Sequence, residues 1–238
     1  MRNTPLRSIL KAISYRVAGT AATAVIVFFA TKRWPLTLAA GGADAAIKLA
    51  LYFVHERIWE KVGFGRRSTD PAVIWLTGLS GAGKTTLAAA VAAALSARGL
   101  KVEQLDGDVL RKLLPQTGFS REQRDAHVRR TALLARYLEK NGVFVVVALI
   151  SPYEESRRFA RGLCRNFIEV HVSTPLEICE GRDPSGLYAR ARRGELKGFT
   201  GIDDPYEAPV RPDVSVDTSR LSVDESVRLI FGAVERLL

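Results

Sequence analysis

The stretch Ala72-Val-Ile-Trp-Leu-Thr-Gly78-Leu-Ser-Gly-Ala-Gly-Lys-Thr85 decides the fold of this chain. Its first six residues form the apolar run of a short strand, and Gly78 to Thr85 fit the pattern G-x-x-x-x-G-K-[ST]. An alanine-rich helix follows, through Arg98. Because strand, glycine-rich loop and helix come in the order that this motif requires, we interpret the loop as a phosphate-binding site.

The composition of the loop has a mechanical reason. Glycines at 78, 81 and 83 let backbone N–H groups turn inward around phosphate oxygens at a helix N-terminus, where the helix dipole favours negative charge. Lys84 is expected to reach the β and γ phosphates, and the Thr85 hydroxyl is expected to ligate Mg²⁺. The residues predicted to form this nucleotide-phosphate site are Gly78, Leu79, Ser80, Gly81, Ala82, Gly83, Lys84, Thr85 and Thr86.

The rest of the C-terminal part alternates between strands and helices. The segments 102–106, 142–150, 167–172 and 214–218 predict four more strands, of which 142–150 is fully apolar and therefore expected to be buried. Helix starts are indicated by three capping boxes, which pair Ser120 with Gln123, Thr174 with Glu177 and Ser222 with Glu225. The pattern predicts an α/β domain of the P-loop NTPase kind, a doubly wound parallel sheet of about five strands with helices on both faces.

The acidic residues of the site are expected at the end of the second strand. Strand 142–150 ends in Ile150-Ser151-Pro152, where many P-loop NTPases have an aspartate for Mg²⁺. Asp106-Gly107-Asp108 instead supplies two carboxylates at the sheet edge where ligands collect. They can orient hydrated Mg²⁺ and accept a proton from an attacking hydroxyl, although an aspartate at this position can also cap the next helix.

Cations and aromatic residues follow these strand ends. Several arginines could bind an anionic substrate through bidentate contacts, although each one alone is more often a surface residue. Phe119 and Phe199 could stack on purine rings or belong to the core. The stretch 182–203 combines glycines, cations and aromatics like a mobile lid over a nucleotide. The arginines that could bind the substrate are Arg111, Arg124, Arg129, Arg130 and Arg157. Physical reasoning alone thus predicts a small-molecule phosphotransferase.

The first 70 residues differ in charge and hydropathy from the rest. The chain has 238 residues and a net charge of +10; residues 1–70 hold 11 Lys and Arg against 4 Asp and Glu, whereas residues 71–238 hold 24 against 21. The larger part lacks the basic excess of a nucleic-acid-binding domain, so nucleic acid is not expected as a partner.

The chain has only two cysteines, Cys164 and Cys179, which is too few for a disulfide framework or a four-cysteine zinc site.

Two apolar runs, 17–31 and 34–54, predict a helical hairpin through a membrane. Both are near the length of about 20 residues that a span needs, and the second contains Asp44 and Lys48. Lys and Arg flank the outer ends of the runs, so both termini and the following domain are expected in the cytoplasm. A soluble two-helix cap or an amphipathic pair on a membrane surface are the alternatives. The predicted organisation is a hairpin in 1–67 that contacts membrane through residues 13–54, a linker at 68–71 and a kinase domain at 72–238.

Two resemblances to known families add to this reading. The stretch from about Arg7 to Gly65, especially SILKAISYRVAGT and LYFVHERIWEKVGFG, resembles predicted two-helix membrane domains of unknown function. GLSGAGKTT, LDGDVLR, GFSREQR, ISPY, FIEVHVSTPLEICEGRDPSGLYARAR and KGFTGIDDPYEAP resemble, in order, the pattern of adenylylsulfate kinases over residues 70–238. That resemblance implies transfer of the ATP γ-phosphoryl group to the 3′-hydroxyl of adenosine 5′-phosphosulfate, with ATP and Mg²⁺ as cofactors.

The resemblance also assigns roles by position. It implies that Lys84, Asp106 and Asp108 serve catalysis, that Asp108 joins Thr85 in holding the metal, and that Arg182 contacts the ATP adenine. Ser151 matches a serine described in the family as a phosphoserine intermediate; since in-line transfer needs only positioning, Mg²⁺ and cations, we interpret Ser151 as a pocket residue. The implied acceptor site consists of Arg111, Phe119, Arg124, His127, Ile150, Ser151, Lys197 and Phe199.

Two positions depart from the family pattern. Gln123 stands where an aspartate is usual, and His127 where an asparagine is usual. Because histidine is larger and titratable, the change bears on acceptor affinity.

The sequence therefore predicts a membrane-tethered adenylylsulfate kinase for sulfate activation, with a homodimer as one option for its assembly. Its rivals are another small-molecule P-loop kinase and a membrane sensor that binds nucleotide without turnover.

Overall fold

The computed structural model describes residues 9–11, 13–15, 17–19, 22, 47, 48, 50–59, 62, 70–113, 118–183 and 185–235. The chain forms two compact units, Met1–Ser68 and Thr69–Leu238. The C-terminal unit contains five strands, β1 Val73–Thr77, β2 Val102–Asp106, β3 Phe144–Ala148, β4 Phe167–Val172 and β5 Val214–Val216. Its described helices are α1 Lys84–Ala97, α2 Gly107–Leu113, α3 Arg121–Lys140, α4 Glu154–Leu163, α5 Leu176–Arg182, α6 Leu187–Arg192 and α7 Val223–Val234.

The five strands form one parallel sheet in the order β2-β3-β1-β4-β5. β1 is central because Val73 lies opposite Val145 of β3 on one side and Phe167 of β4 on the other. The five predicted strands are thereby confirmed, and so is the parallel α/β class. Since the strands are parallel, their carboxyl ends lie along one edge, where loops that carry functional side chains converge.

Alternate residues of β1 pack into two cores, one on each face of the sheet. Ile74 and Leu76 point into a core completed by α1 and α7, whereas Val73 and Trp75 point into a core completed by α3 and α4. Every residue of β1 is buried, which explains why Val73 to Leu76 are all apolar rather than alternating with polar residues. The doubly wound arrangement follows from this two-sided burial.

The helix starts agree with the sequence at two of three positions. Ser120 with Gln123 and Ser222 with Glu225 form complete capping boxes at α3 and α7. The third prediction was wrong, because α5 begins at Leu176 with no side-chain cap. The Thr174 hydroxyl instead donates to the Ala82 carbonyl at 3.2 Å and so serves the glycine-rich loop.

The N-terminal unit has helical residues at 9–11, 13–15, 17–19 and 22, and again at 47, 48 and 50–59. Lys11 Nζ lies 2.7 Å from a Glu56 carboxylate oxygen, and Ser14 Oγ lies 2.7 Å from His55 Nε2, so side chains from the two stretches meet. Within the described part of the chain, no helix has the length and apolar character needed to cross a bilayer. Most of the predicted runs at 17–31 and 34–54, Asp44 included, lies outside the described residues.

Candidate active site

The glycine-rich loop joins the carboxyl end of β1 to α1. Gly81 and Gly83 have φ of +73° and +95°, which favour glycine, and a Cβ on Gly81 would lie 2.9 Å from the Cys179 carbonyl oxygen. Gly83 is the N-cap of α1 and offers no side chain to the first turn of that helix. The N–H groups there are therefore available to an anion, as a phosphate site requires.

Lys84 lies folded against the same loop. Its Nζ donates to the Leu79 carbonyl at 2.7 Å. Burial lowers the pKa of the Lys84 ammonium to about 8, although Asp108 and Asp106 favour the charged form. Lys84 thus stays mostly protonated at neutral pH and can bind phosphate oxygens.

Asp106, the last residue of β2, contacts both the glycine-rich loop and the next helix. Asp106 Oδ2 accepts a hydrogen bond from the Thr85 hydroxyl at 2.9 Å, and its Oδ1 accepts the N–H groups of Asp108 at 2.9 Å and Val109 at 3.3 Å. The carboxylate beside Thr85 is therefore Asp106, which also caps α2, whereas the sequence pointed to Asp108 for the metal and for a capping role. Asp108 is exposed toward the cavity described next.

One cavity of about 740 Å³ runs along this edge of the sheet. At one end it is lined by the glycine-rich loop and Arg182, at the other by the aromatic and cationic residues of the predicted acceptor site, with Asp106 and Asp108 also on its wall. Gly78, Leu79, Ala82 and His127 are not part of the lining. The predicted residues that do line it are Ser80, Gly81, Gly83, Lys84, Thr85, Thr86, Asp106, Asp108, Arg111, Phe119, Arg124, Ile150, Ser151, Arg182, Lys197 and Phe199.

An aromatic ring and a guanidinium lie together at the acceptor end. Phe119 is 66% exposed, and the Arg111 guanidinium lies 4.9 Å from its ring centroid while donating to the Gly118 carbonyl at 2.7 Å. The Phe199 ring packs edge-on against Tyr188, with centroids 4.9 Å apart. Both phenylalanines thus border the cavity, with a face or an edge that a planar ring could contact.

The Arg124 guanidinium makes hydrogen bonds to other residues of the C-terminal unit. It is buried, and its Nε donates to the Phe119 carbonyl at 2.8 Å. Its two terminal nitrogens bind Thr200 Oγ1 and the Gly198 carbonyl, and one of them lies 3.2 Å from Asp204 Oδ2. Arg124 therefore connects the start of α3 to the predicted lid, a role that the sequence did not indicate.

His127 lies behind the acidic turn. Its side chain is fully buried, and its Nε2 donates to the Gly107 carbonyl at 3.2 Å, while Nδ1 has no hydrogen-bond partner among the residues that the structure describes. Burial, helped by Arg111, lowers the pKa of His127 to about 4, so the imidazole is neutral at physiological pH. The structure thus places this residue behind the Gly107 backbone, although it was predicted to bind the acceptor.

The sequence did not single out two further residues. Thr218 follows β5, and its hydroxyl accepts a hydrogen bond from Arg182 at 2.8 Å. The same hydroxyl donates to the Ala82 carbonyl at 2.9 Å. Asp204 accepts from Tyr153 at 3.0 Å and binds Arg124. No local motif marks Thr218, whereas Asp204 belongs to the quoted segment KGFTGIDDPYEAP. The described residues contain no cluster of three or more acidic, histidine or cysteine side chains that could hold a metal alone.

Comparisons with known proteins agree with this geometry. The model of a family described as adenylylsulphate kinase matches residues 70–217, and one described as a predicted membrane protein matches residues 9–60. The adenylyl-sulfate kinase of Microcystis aeruginosa is 49% identical over 165 residues, covering 69% of this chain and 91% of the relative. The probable adenylyl-sulfate kinase of Pyrococcus abyssi is 51% identical over 165 residues, with 69% and 95% covered. The structure of the Mycobacterium tuberculosis APS kinase with AMPPNP and APS is 41% identical, with a TM-score of 0.67 over 70% of this chain and 98% of that one.

Proposed function

The chain belongs to the adenylylsulfate kinase family, and we propose that it phosphorylates the 3′-hydroxyl of adenosine 5′-phosphosulfate while residues 13–54 hold it at a membrane. As a member of this family it is a phosphotransferase that uses ATP and Mg²⁺. The observation that carries the proposed reaction is the single cavity that joins the phosphate-binding loop to Arg111, Phe119, Lys197 and Phe199.

The residues of the cavity fit the group that would be transferred. Uncapped N–H groups at α1 and the Lys84 ammonium would bind the phosphates, while Thr85 and Asp106 present oxygen ligands 2.9 Å apart to a metal ion. Bound Mg²⁺ would neutralise phosphate charge during the transfer. The exposed Asp108 carboxylate would accept the proton of the attacking hydroxyl, and Arg111 and Lys197 would bind the anionic part of the acceptor.

The membrane part of the proposal is supported by the N-terminal unit. The predicted-membrane-protein match covers residues 9–60, and the positive flanks favour an arrangement with both ends and the kinase domain in the cytoplasm. The described helical residues also expose many apolar side chains, which an interface with lipid would cover. These are Ile9, Ile13, Val17, Tyr52, Phe53, Val54 and Ile58, each at least 47% exposed.

Two measurements on the full chain test the two parts separately. Turnover in detergent is followed with ATP and one acceptor at a time, namely adenosine 5′-phosphosulfate, gluconate, shikimate or AMP, and the products are weighed by mass spectrometry. We expect phosphorylation of adenosine 5′-phosphosulfate alone. Turnover with another acceptor, or ATP binding without transfer, would support the rival kinase or sensor.

Extraction of cell membranes at high pH should leave the chain in the pellet, and its release would argue against a spanning hairpin.

A further inference from the structure

Ser151 has a strained backbone at the wall of the cavity. Among the described non-glycine residues it is the one whose φ lies in the left-handed range, at +40°, and its side chain is buried. Residues other than glycine seldom adopt this backbone conformation, and they keep it only where the surrounding structure enforces it. The turn after β3 is therefore held in place by its neighbours.

Three buried side chains hold that turn. Trp75 Nε1 donates to Ser151 Oγ at 3.0 Å, and the Thr77 hydroxyl donates to the Ile150 carbonyl at 2.7 Å. An Arg157 nitrogen donates to the Ser151 carbonyl at 2.8 Å. Trp75 and Thr77 are alternate residues of β1 and so point to the same face of the central strand. The position of the Ser151 hydroxyl is thus set by the core rather than by the loop itself.

The Trp75 contact fixes what the hydroxyl can do. An indole N–H only donates, so it occupies a lone pair of Ser151 Oγ and leaves the hydroxyl proton for another acceptor. Trp75 is the only hydrogen-bond partner of this hydroxyl within the part of the chain that the structure describes. A serine nucleophile needs a neighbouring base to take its proton, and an indole N–H cannot act as one.

We propose that Trp75 is a positioning residue that holds the Ser151 hydroxyl as a hydrogen-bond donor to the anionic acceptor. This inference rests on the proposed acceptor site. It assigns to the core of the sheet a direct part in acceptor affinity, because removal of the indole N–H releases the serine hydroxyl without altering the phosphate-binding loop.

The test is a double-mutant cycle on the full chain with Trp75→Phe and Ser151→Ala. Each single variant should raise KM for adenosine 5′-phosphosulfate about 5- to 10-fold, the size of one hydrogen bond, and leave KM for ATP unchanged. The double variant should be no worse than Ser151→Ala, because both changes remove one interaction. Phe167→Leu is the matched control, since the Phe167 ring lies 5.7 Å from Trp75 but makes no bond to Ser151.

Additive losses, or equal rises in both KM values, would overturn the assignment and indicate packing alone. Phosphate on Ser151 after incubation with ATP, detected by peptide mass, would overturn it as well. A wild-type chain that does not phosphorylate adenosine 5′-phosphosulfate would contradict the proposed function instead.

A spectroscopic measurement keeps the test decisive if Trp75→Phe fails to fold. The three tryptophans are Trp34, Trp59 and Trp75, so a chain with Trp34→Phe and Trp59→Phe reports on Trp75 alone. In that background Ser151→Ala should shift the emission to shorter wavelength, because the indole loses its hydrogen-bond acceptor. An unchanged spectrum would contradict the Trp75–Ser151 contact.

Discussion

The Thr85 hydroxyl donates to Asp106 Oδ2 at 2.9 Å, which joins the first turn of α1 to the end of β2. The other carboxylate oxygen of Asp106 caps α2. One side chain thus contributes both charge at the cavity and stability to the next helix. Substitutions can separate these two contributions.

Asp106→Asn should lower kcat at least 100-fold, because the amide lacks the negative charge that would orient the metal, a loss typical of a preorganised electrostatic group. The amide oxygen can still cap α2, so the free energy of unfolding should change by less than about 0.5 kcal/mol. Asp106→Ala should lose activity equally and also about 1 kcal/mol of stability. Steady-state kinetics and urea titration measure the two effects, and near-native turnover by Asp106→Asn would refute the assigned role.

ATP binding should depend on the ionisation of Lys84. With a pKa of about 8 in the free protein, the ammonium is charged at pH 7 and largely neutral at pH 9. The Kd of a fluorescent ATP analogue should therefore increase as pH rises through 8. Lys84→Arg keeps its charge over this range and serves as the control. If both proteins showed the same pH dependence, the titrating group would lie elsewhere.

His127 should make stability depend on pH in mildly acidic solution. Its folded pKa of about 4 lies below the ordinary value of 6.5, so the folded state binds fewer protons between these values. The contribution is fully present above pH 6.5 and is lost as pH falls toward 4, with an upper limit of roughly 3 kcal/mol. His127→Asn should flatten the fall in urea midpoint between pH 7 and 4.5. Burial also lowers the pKa of His171, so part of the dependence should remain.

Deletion of residues 1–67 should yield a soluble, active kinase. The C-terminal unit has cores on both faces of its sheet, and both are built from residues of that unit. We expect kcat and both KM values within about twofold of those of the full chain in detergent. Gel filtration and the acceptor assay check this prediction. An insoluble product would mean that the N-terminal unit completes the fold.

The sequence predicted those parts of the site that lie in short continuous motifs. Gly81, Gly83 and Lys84 could be placed because a strand, a loop and a helix follow one another within about 25 residues. The partners of Arg124 could not, since Gly198, Thr200 and Asp204 are more than 70 positions away and pairing of side chains leaves no local pattern. The Thr174 capping box failed for a related reason, because its hydroxyl is used by Ala82 across the fold.

The position of β1 in the sheet also has a consequence for synthesis. Val73 pairs with Val145 and Phe167, so both neighbours of the central strand are made long after it. A chain emerging from the ribosome therefore presents the complete N-terminal unit before any strand of the kinase sheet can pair with β1. The N-terminal unit can therefore fold before the catalytic unit does, and β1 must be protected with both edges unpaired until β3 appears.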